Sequence, residues 1–342
     1  MNRTDLSKIG EFGIIDRINS KFKNKCNSSL IGIGDDAAVT KAEKENVVIS
    51  SDMLVEGIHF DLSYTPLKHL GYKSVIINLS DIYSMNSYPN QILLNIALSS
   101  KFSVEALDEF YDGVKYACDD YNVDLIGGDT TSSTSGLIIS GTAIGYNSKK
   151  NIVTRENAKP DDIICVSGDL GRAYAGLLVL QKEKENFIKN PKIQPSLDNY
   201  KSLVEKQLRP KARNDIIDFF CNNNIRPNAM IDISDGLSSE LMHLSKSSKL
   251  GFKIYEEKLP ISLEVTSMMN KFKLSPLSAA LKGGEEYELL FSLPVDVFEK
   301  MNISNIDITA IGHFTKKKKN LLILKNNQEV DIESQGWDHF IQ

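Results

Sequence analysis

The chain has 342 residues, 41% of them hydrophobic and 25% charged, with a formal net charge of -5. That length buries roughly 75% of the unfolded surface and suggests about two domains, and the mild acidity argues against nucleic acid as the main partner, because phosphate backbones select a basic stripe. No apolar stretch approaches the roughly 20 residues that span a bilayer, and Met1-Asn2-Arg3-Thr4-Asp5 lacks a signal peptide's apolar core, so a cytoplasmic protein with no membrane partner is expected.

The first apolar run, Val47-Val48-Ile49, reads as a strand leading into Ser50-Ser51-Asp52. Further strands are expected over 91–98, 137–140, 163–166, 229–231, 289–291 and 308–311. Between them, 103–121 reads as an amphipathic helix, with Val104, Leu107, Phe110, Tyr111, Val114, Ala117, Cys118 and Tyr121 at steps of three and four. Helices are also expected over 172–184, 211–222 and 237–247. The alternation predicts a two-domain α+β or α/β fold, mixed α/β in both halves. The polar run 147–151 and the turn at 158–162 place the boundary so that residues 1–148 form one domain and 149–342 the other. Residues 183–201 read as an exposed excursion, and Lys316 to Lys319 as a solvated turn. Cys26, Cys118, Cys165 and Cys221 form no Cys-x-x-Cys pair, which argues for reduced thiols and against structural zinc.

Acidic motifs recur at the ends of apolar runs: Gly34-Asp35-Asp36-Ala37, Ser50-Ser51-Asp52, Asn78-Leu79-Ser80-Asp81, Gly127-Gly128-Asp129-Thr130 and Asp232-Ile233-Ser234-Asp235-Gly236. Gly283-Gly284-Glu285-Glu286 has the same look. A single Asp after a strand is ordinarily a cap or turn residue. A convergent set is different, because two carboxylates 4 Å apart repel by about 4 kcal/mol at an effective dielectric of 20. Cations relieve that repulsion, and Asp with Ser or Thr oxygens suits Mg²⁺, which also bridges phosphates. The chemistry indicated is phosphoryl transfer, which needs positioning and charge neutralisation more than covalent help. The chain carries no Walker A motif, no His-Glu-x-x-His and no Gly-x-Ser-x-Gly. Gly168-Asp169-Leu170-Gly171 opens a helix, and reads either as a phosphate cradle or as an ordinary strand-to-helix turn. Arg155 is either a phosphate clamp or an exposed ion pair. His59 either touches a substrate phosphate or is packed and hydrogen-bonded. Trp337 either stacks on a ligand or pins the tail.

Taken in order, these motifs resemble the thiamine-monophosphate kinase family. The resemblance runs through 31–39, 50–60, 78–82, 127–130, Thr154-Arg155, Leu208-Arg209-Pro210, 232–237, 283–289 and Trp337-Asp338-His339-Phe340. It implies the two-domain fold shared with aminoimidazole ribonucleotide synthetase and selenophosphate synthetase, with N-terminal domains pairing into a homodimer. It implies ATP as co-substrate, several Mg²⁺ ions, and direct in-line phosphorylation of thiamine monophosphate to thiamine diphosphate. Carried over by position, Asp36, Ser50, Ser51, Asp52, Asp81, Asp129, Asp232 and Asp235 would hold Mg²⁺. Tyr111, Gly128, Asp129, Arg155 and Ser234 would serve ATP, and His59, Glu285 and Trp337 the thiamine monophosphate. No residue is an obvious covalent nucleophile. The chain departs from the family pattern at Asn86-Ser87, at Ala212 and at Glu286. A sister synthetase of the same fold, a multi-metal phosphohydrolase and a non-catalytic nucleotide-binding regulator remain alternatives. No Gly-rich loop surrounds Cys26, as a selenophosphate synthetase would have, and the chain ends in Gln342 rather than the Cys of a hydrogenase-maturation relative.

Overall fold

A computed structural model describes residues 17–31, 39–40 and 46–332. The chain divides into two compact units, changing from the first to the second after Ile152, with Ser84–Asn86 belonging to the second.

In the first unit β1 (Ser29–Ile31) pairs with β2 (Val39–Thr40). The main sheet contains β3 (Asn46–Val55), β4 (Tyr88–Leu98), β5 (Asp124–Gly127) and β7 (Ile138–Asn147), in the order β3-β7-β4-β5. The short β6 (Thr130–Ser132) runs parallel to β4. Two helices, Leu67–Ser84 and Val104–Tyr121, belong to this unit. The second was expected from its periodicity. Ser103 caps its N-terminus by accepting from Ala106 N–H at 3.3 Å, and Asn122 ends it in the left-handed conformation. The helix Leu67–Ser84 was not expected. Every residue from Leu70 to Ser80 is buried, so the segment has no polar face and no helical period to read. The two helices cross at a pair of glycines. A Cβ on Gly71 would lie 1.9 Å from the Phe110 carbonyl oxygen, and one on Gly113 would lie 1.9 Å from that of Lys68.

The helix Leu67–Ser84 also lies close against the sheet. Gly141 and Gly145 of β7 make the room, since a Cβ on each would lie 2.3 Å from Asn78 Nδ2 and 2.4 Å from Ile82 Cγ2 respectively. The motif Asn78-Leu79-Ser80-Asp81 therefore sits in a helix rather than at a sheet rim, and Ser50-Ser51-Asp52 lies in mid-strand rather than at a strand end.

The second unit holds a seven-stranded sheet with β8 (Ile163–Ser167), β9 (Ala229–Asp232), β10 (Gly251–Tyr255), β11 (Leu289–Leu293), β12 (Ile308–Thr315), β13 (Asn320–Ile323) and β14 (Glu329–Asp331). Its order is β14-β13-β10-β12-β8-β11-β9, which puts β9 at one edge. Leu237, Leu241 and Leu244, at helical steps of four and three, pack with Ile231, Phe252 and Phe314 in its core. Burial of each such side chain contributes roughly 1.5–3 kcal/mol. The helix expected over 172–184 runs Arg172–Lys189, and that expected over 211–222 is Asn214–Asn222, preceded by a separate helix Lys201–Leu208.

Among the described residues no helix is long and apolar enough to cross a membrane.

Candidate functional site

In the first unit the alternation of β3 sorts its polar residues onto two faces. Ser50 and Asp52 share the half-buried face with Val48 and Leu54. There Ser50 Oγ donates to Asp81 Oδ2, and Asp52 N–H donates to Asn78 Oδ1 at 3.1 Å. Asn78 is itself held by donating Nδ2 to the Ser74 carbonyl at 2.9 Å. Residues 78 and 81 lie three apart on one helix face, and residues 50 and 52 lie two apart on one strand face, so the two elements meet at both pairs. Ser51 does not join them. Its hydroxyl lies on the opposite face, donating to the Gly141 carbonyl at 2.7 Å and lying 3.0 Å from Thr142 Oγ1.

Gly128 and Asp129 are exposed between β5 and β6. Gly128 has φ +154, close to extended, and it is irreplaceable because a Cβ there would lie 1.9 Å from the Leu94 carbonyl oxygen. Asp129 accepts from Thr130 N–H at 2.9 Å. Tyr111 is buried, its phenol hydrogen-bonded to Thr130 and pushed well above its ordinary pKa by desolvation. It supports the 128–130 turn from beneath. His59 ends a tight turn with Gly57 at φ +83, and its Nδ1 accepts from Val55 N–H at 3.0 Å. That bond leaves Nε2 as the protonated nitrogen of the neutral ring, a donor.

In the second unit Asp232 closes β9 opposite Leu289, and the pairing continues beyond the strands. Ile233 N–H donates to the Glu288 carbonyl at 2.7 Å, Tyr287 N–H to that of Ile233 at 2.8 Å, and Glu285 N–H to that of Ser234 at 2.7 Å. Ser234 and Glu285 are thereby neighbours. Glu285 and Tyr287 adopt φ of +64 and +52, an unfavourable region for side chains other than Asn or Gly, held here by these bonds. Asp235 N–H donates to Glu240 Oε1 at 3.3 Å across the start of the helix Leu237–Ser248. Burial, and then the charges of Asp232 and Asp235, push the Glu240 carboxyl up to about 8. Arg155 is exposed and near enough to pull it back. Asp36 and Trp337 lie outside the described residues.

In the first unit Ser50 and Asp52 share one face of β3 and Ser50 bonds Asp81, an oxygen set that fits a hard divalent cation, and in the second unit Asp232 and Asp235 lie beside Glu240. Among the described residues no three His, Cys, Asp or Glu side chains gather closely enough to hold a metal by themselves. Mg²⁺ keeps waters and takes phosphate oxygens, so it does not need such a cage.

The strand-to-helix turn at Gly168 lies between β8 and the helix Arg172–Lys189. Three of its amides are taken within the unit, Gly168 N–H by the Asp307 carbonyl, Leu170 N–H by the Pro260 carbonyl, and Ala173 N–H by the Glu286 carboxyl at 3.0 Å. The departure at Glu286 consequently touches a helix cap and not the Glu285 side. Asn86 stands at φ +53, which Asn tolerates nearly as Gly does, so that departure keeps its turn. Glu286 is 1% exposed, and burial pushes its carboxyl up to about 8. Its folded pKa lies above the ordinary 4.5, so its contribution is fully present below that value and is lost as pH rises toward 8. Glu286→Gln keeps the shape and carries no charge. Chemical denaturation is expected to show the variant gaining on the parent by up to about 1.4 kcal/mol per pH unit between pH 5 and 8. A constant difference across that range would contradict the assignment.

Residues 34–146 match the family described as AIR synthase related protein, N-terminal domain. The chain has an AIR synthase-like fold, and Hydrogenase Maturation Protein HypE, at 16% identity and a TM-score of 0.75 over 96% of this chain and 98% of that one, shares that fold. A thiamine-monophosphate kinase of Buchnera aphidicola subsp. Schizaphis graminum is 39% identical over 97% of this chain and 99% of its own. A solved structure of AaThiL complexed with AMPPCP and TMP superposes with a TM-score of 0.76 at 31% identity, covering 99% of this chain and 100% of that one. The chain belongs to the thiamine-monophosphate kinase family.

Proposed function

We propose that this chain transfers the terminal phosphoryl group of ATP to thiamine monophosphate, giving thiamine diphosphate and ADP. The observation that carries the reading is the 39% identity to a thiamine-monophosphate kinase over 97% of the chain. AaThiL, 31% identical, holds AMPPCP and TMP together. Asp36, Ser50, Asp52, Asp81 and Asp129, with Asp232 and Asp235, are the residues to hold Mg²⁺, which when bound neutralises the phosphates. The backbone at Gly128, with Arg155 and Ser234, receives ATP, and Tyr111 stiffens the turn beneath Gly128. The Nε2–H of His59 suits a phosphate oxygen. Glu285 suits the cationic thiazolium, and Trp337 its aromatic face. The substrate phosphate is anionic already, so one of its oxygens attacks the γ-phosphorus without a strong base as the bond to ADP breaks. Chelation of divalent metal is expected to stop turnover, and added Mg²⁺ to restore it. Full activity after exhaustive chelation would overturn the metal assignment.

The active species is a homodimer in this reading. On the outer face of β3, an edge strand, Val47, Ile49 and Met53 are 44%, 63% and 55% exposed. A second copy covering this stripe accounts for an apolar face on an edge strand, which soluble proteins otherwise blunt with charge. Light scattering is expected to report twice the chain mass, and Ile49→Asp with Met53→Asp to halve it. A parent chain that runs as a monomer at micromolar concentration would contradict the dimer.

A further inference from the structure

Two consecutive residues of the helix Lys201–Leu208 hold two residues of the 285–288 segment. Lys206 Nζ donates to Glu288 Oε1 at 2.5 Å, and Gln207 Nε2 donates to Glu285 Oε2. Gln207 is 5% exposed, so its amide is committed to the interior rather than sampling solvent. The helix reaches this depth because of Gly176 on the neighbouring helix, where a Cβ would lie 2.1 Å from the Leu203 carbonyl oxygen and 3.2 Å from Gln207 Cβ. Glu288 is pinned further by Ser167 Oγ at 2.6 Å and by Arg213. Lys206 is anchored by this buried carboxylate, and Gln207 inherits the fixed position. Glu285, on the other side, is held through its backbone by Ser234.

The two contacts differ in chemistry. The helix gives its cation to the buried Glu288 and a neutral amide to Glu285. An amide fixes the plane of a carboxylate without adding a positive charge, whereas a Lys at 207 would offset part of the charge that attracts a cationic ligand.

We propose that Gln207 is a positioning residue that orients the Glu285 carboxylate toward the cationic ring system of the substrate, setting the affinity for thiamine monophosphate without touching it. The proposal rests on the reading of Glu285 as a substrate contact. Gln207→Met keeps the volume and removes the amide. It is expected to raise KM for thiamine monophosphate about tenfold, the loss of one hydrogen bond to a charged group, with KM for ATP unchanged and the melting temperature lowered by only a few degrees. Glu285→Gln is expected to raise the same KM at least as much, and the double variant to be no worse than Glu285→Gln alone, because both residues act through one contact. Gln207→Glu, which retains the shape and opposes two carboxyls, is expected to raise KM beyond the Met variant and covers the case in which the Met variant does not fold. If Glu285→Gln leaves KM at the parent value, the substrate reading of Glu285 falls and the proposal with it. If Glu285→Gln raises KM while both Gln207 variants do not, or if the effects multiply in the double variant, Gln207 alone loses its role.

Discussion

Asp52→Ala is expected to lower kcat/KM for phosphoryl transfer by about 10³-fold or more, the scale of losing a preorganised electrostatic group. The fold is expected to stand. Asp52 is half-buried on an edge strand, and its backbone N–H bond to Asn78 of the helix Leu67–Ser84 is one that Ala retains. The substitution also removes a carboxylate from the patch that holds Asp81, so without cation the melting temperature is expected to stay level or rise slightly. Ser51→Ala is the internal comparison. Its hydroxyl serves Gly141 and Thr142 on the opposite face, and less than a tenth of the Asp52 effect is expected from its loss. Turnover of Asp52→Ala within about threefold of the parent would remove the acidic patch from the mechanism.

Gly113→Ala is expected to destabilise the first unit by about 3 kcal/mol or more, seen as a fall of roughly 10 °C in melting temperature. Two effects oppose each other here. Helix propensity alone favours Ala over Gly by about 1 kcal/mol. Against that, the new methyl would lie 1.9 Å from the Lys68 carbonyl oxygen, a backbone atom that moves only if the helices separate. Separation would also pull Asn78 and Asp81 away from β3, so activity is expected to fall with stability. A variant as stable as the parent would mean that the helices do not cross at these glycines.

The second of the two crossing helices was legible in the sequence and the first was not, for one physical reason. Val104–Tyr121 has a wet face, and its apolar residues recur at helical steps. Leu67–Ser84 is buried on every side along most of its length, so its β-branched run reads equally well as strand. Asp81 was recognised while its setting was misread. The site shows the same division. Asp52, Asp129, Asp232 and Asp235 stand out because acids beside Gly or Ser interrupt apolar runs. Ser51 shares its neighbours' motif, and only strand alternation separates it from them. Glu240 left a faint signal, an acid in the first turn of the helix after Gly236. Gln207 left none, because its partner is 78 residues away in the chain.

The central claim is tested most directly by incubating the full chain with thiamine monophosphate, ATP and Mg²⁺ and separating the products by chromatography. Equal amounts of thiamine diphosphate and ADP, both dependent on Mg²⁺ and on thiamine monophosphate, are the expected result. ADP released at the same rate without thiamine monophosphate, or folded protein that forms no thiamine diphosphate, would contradict it.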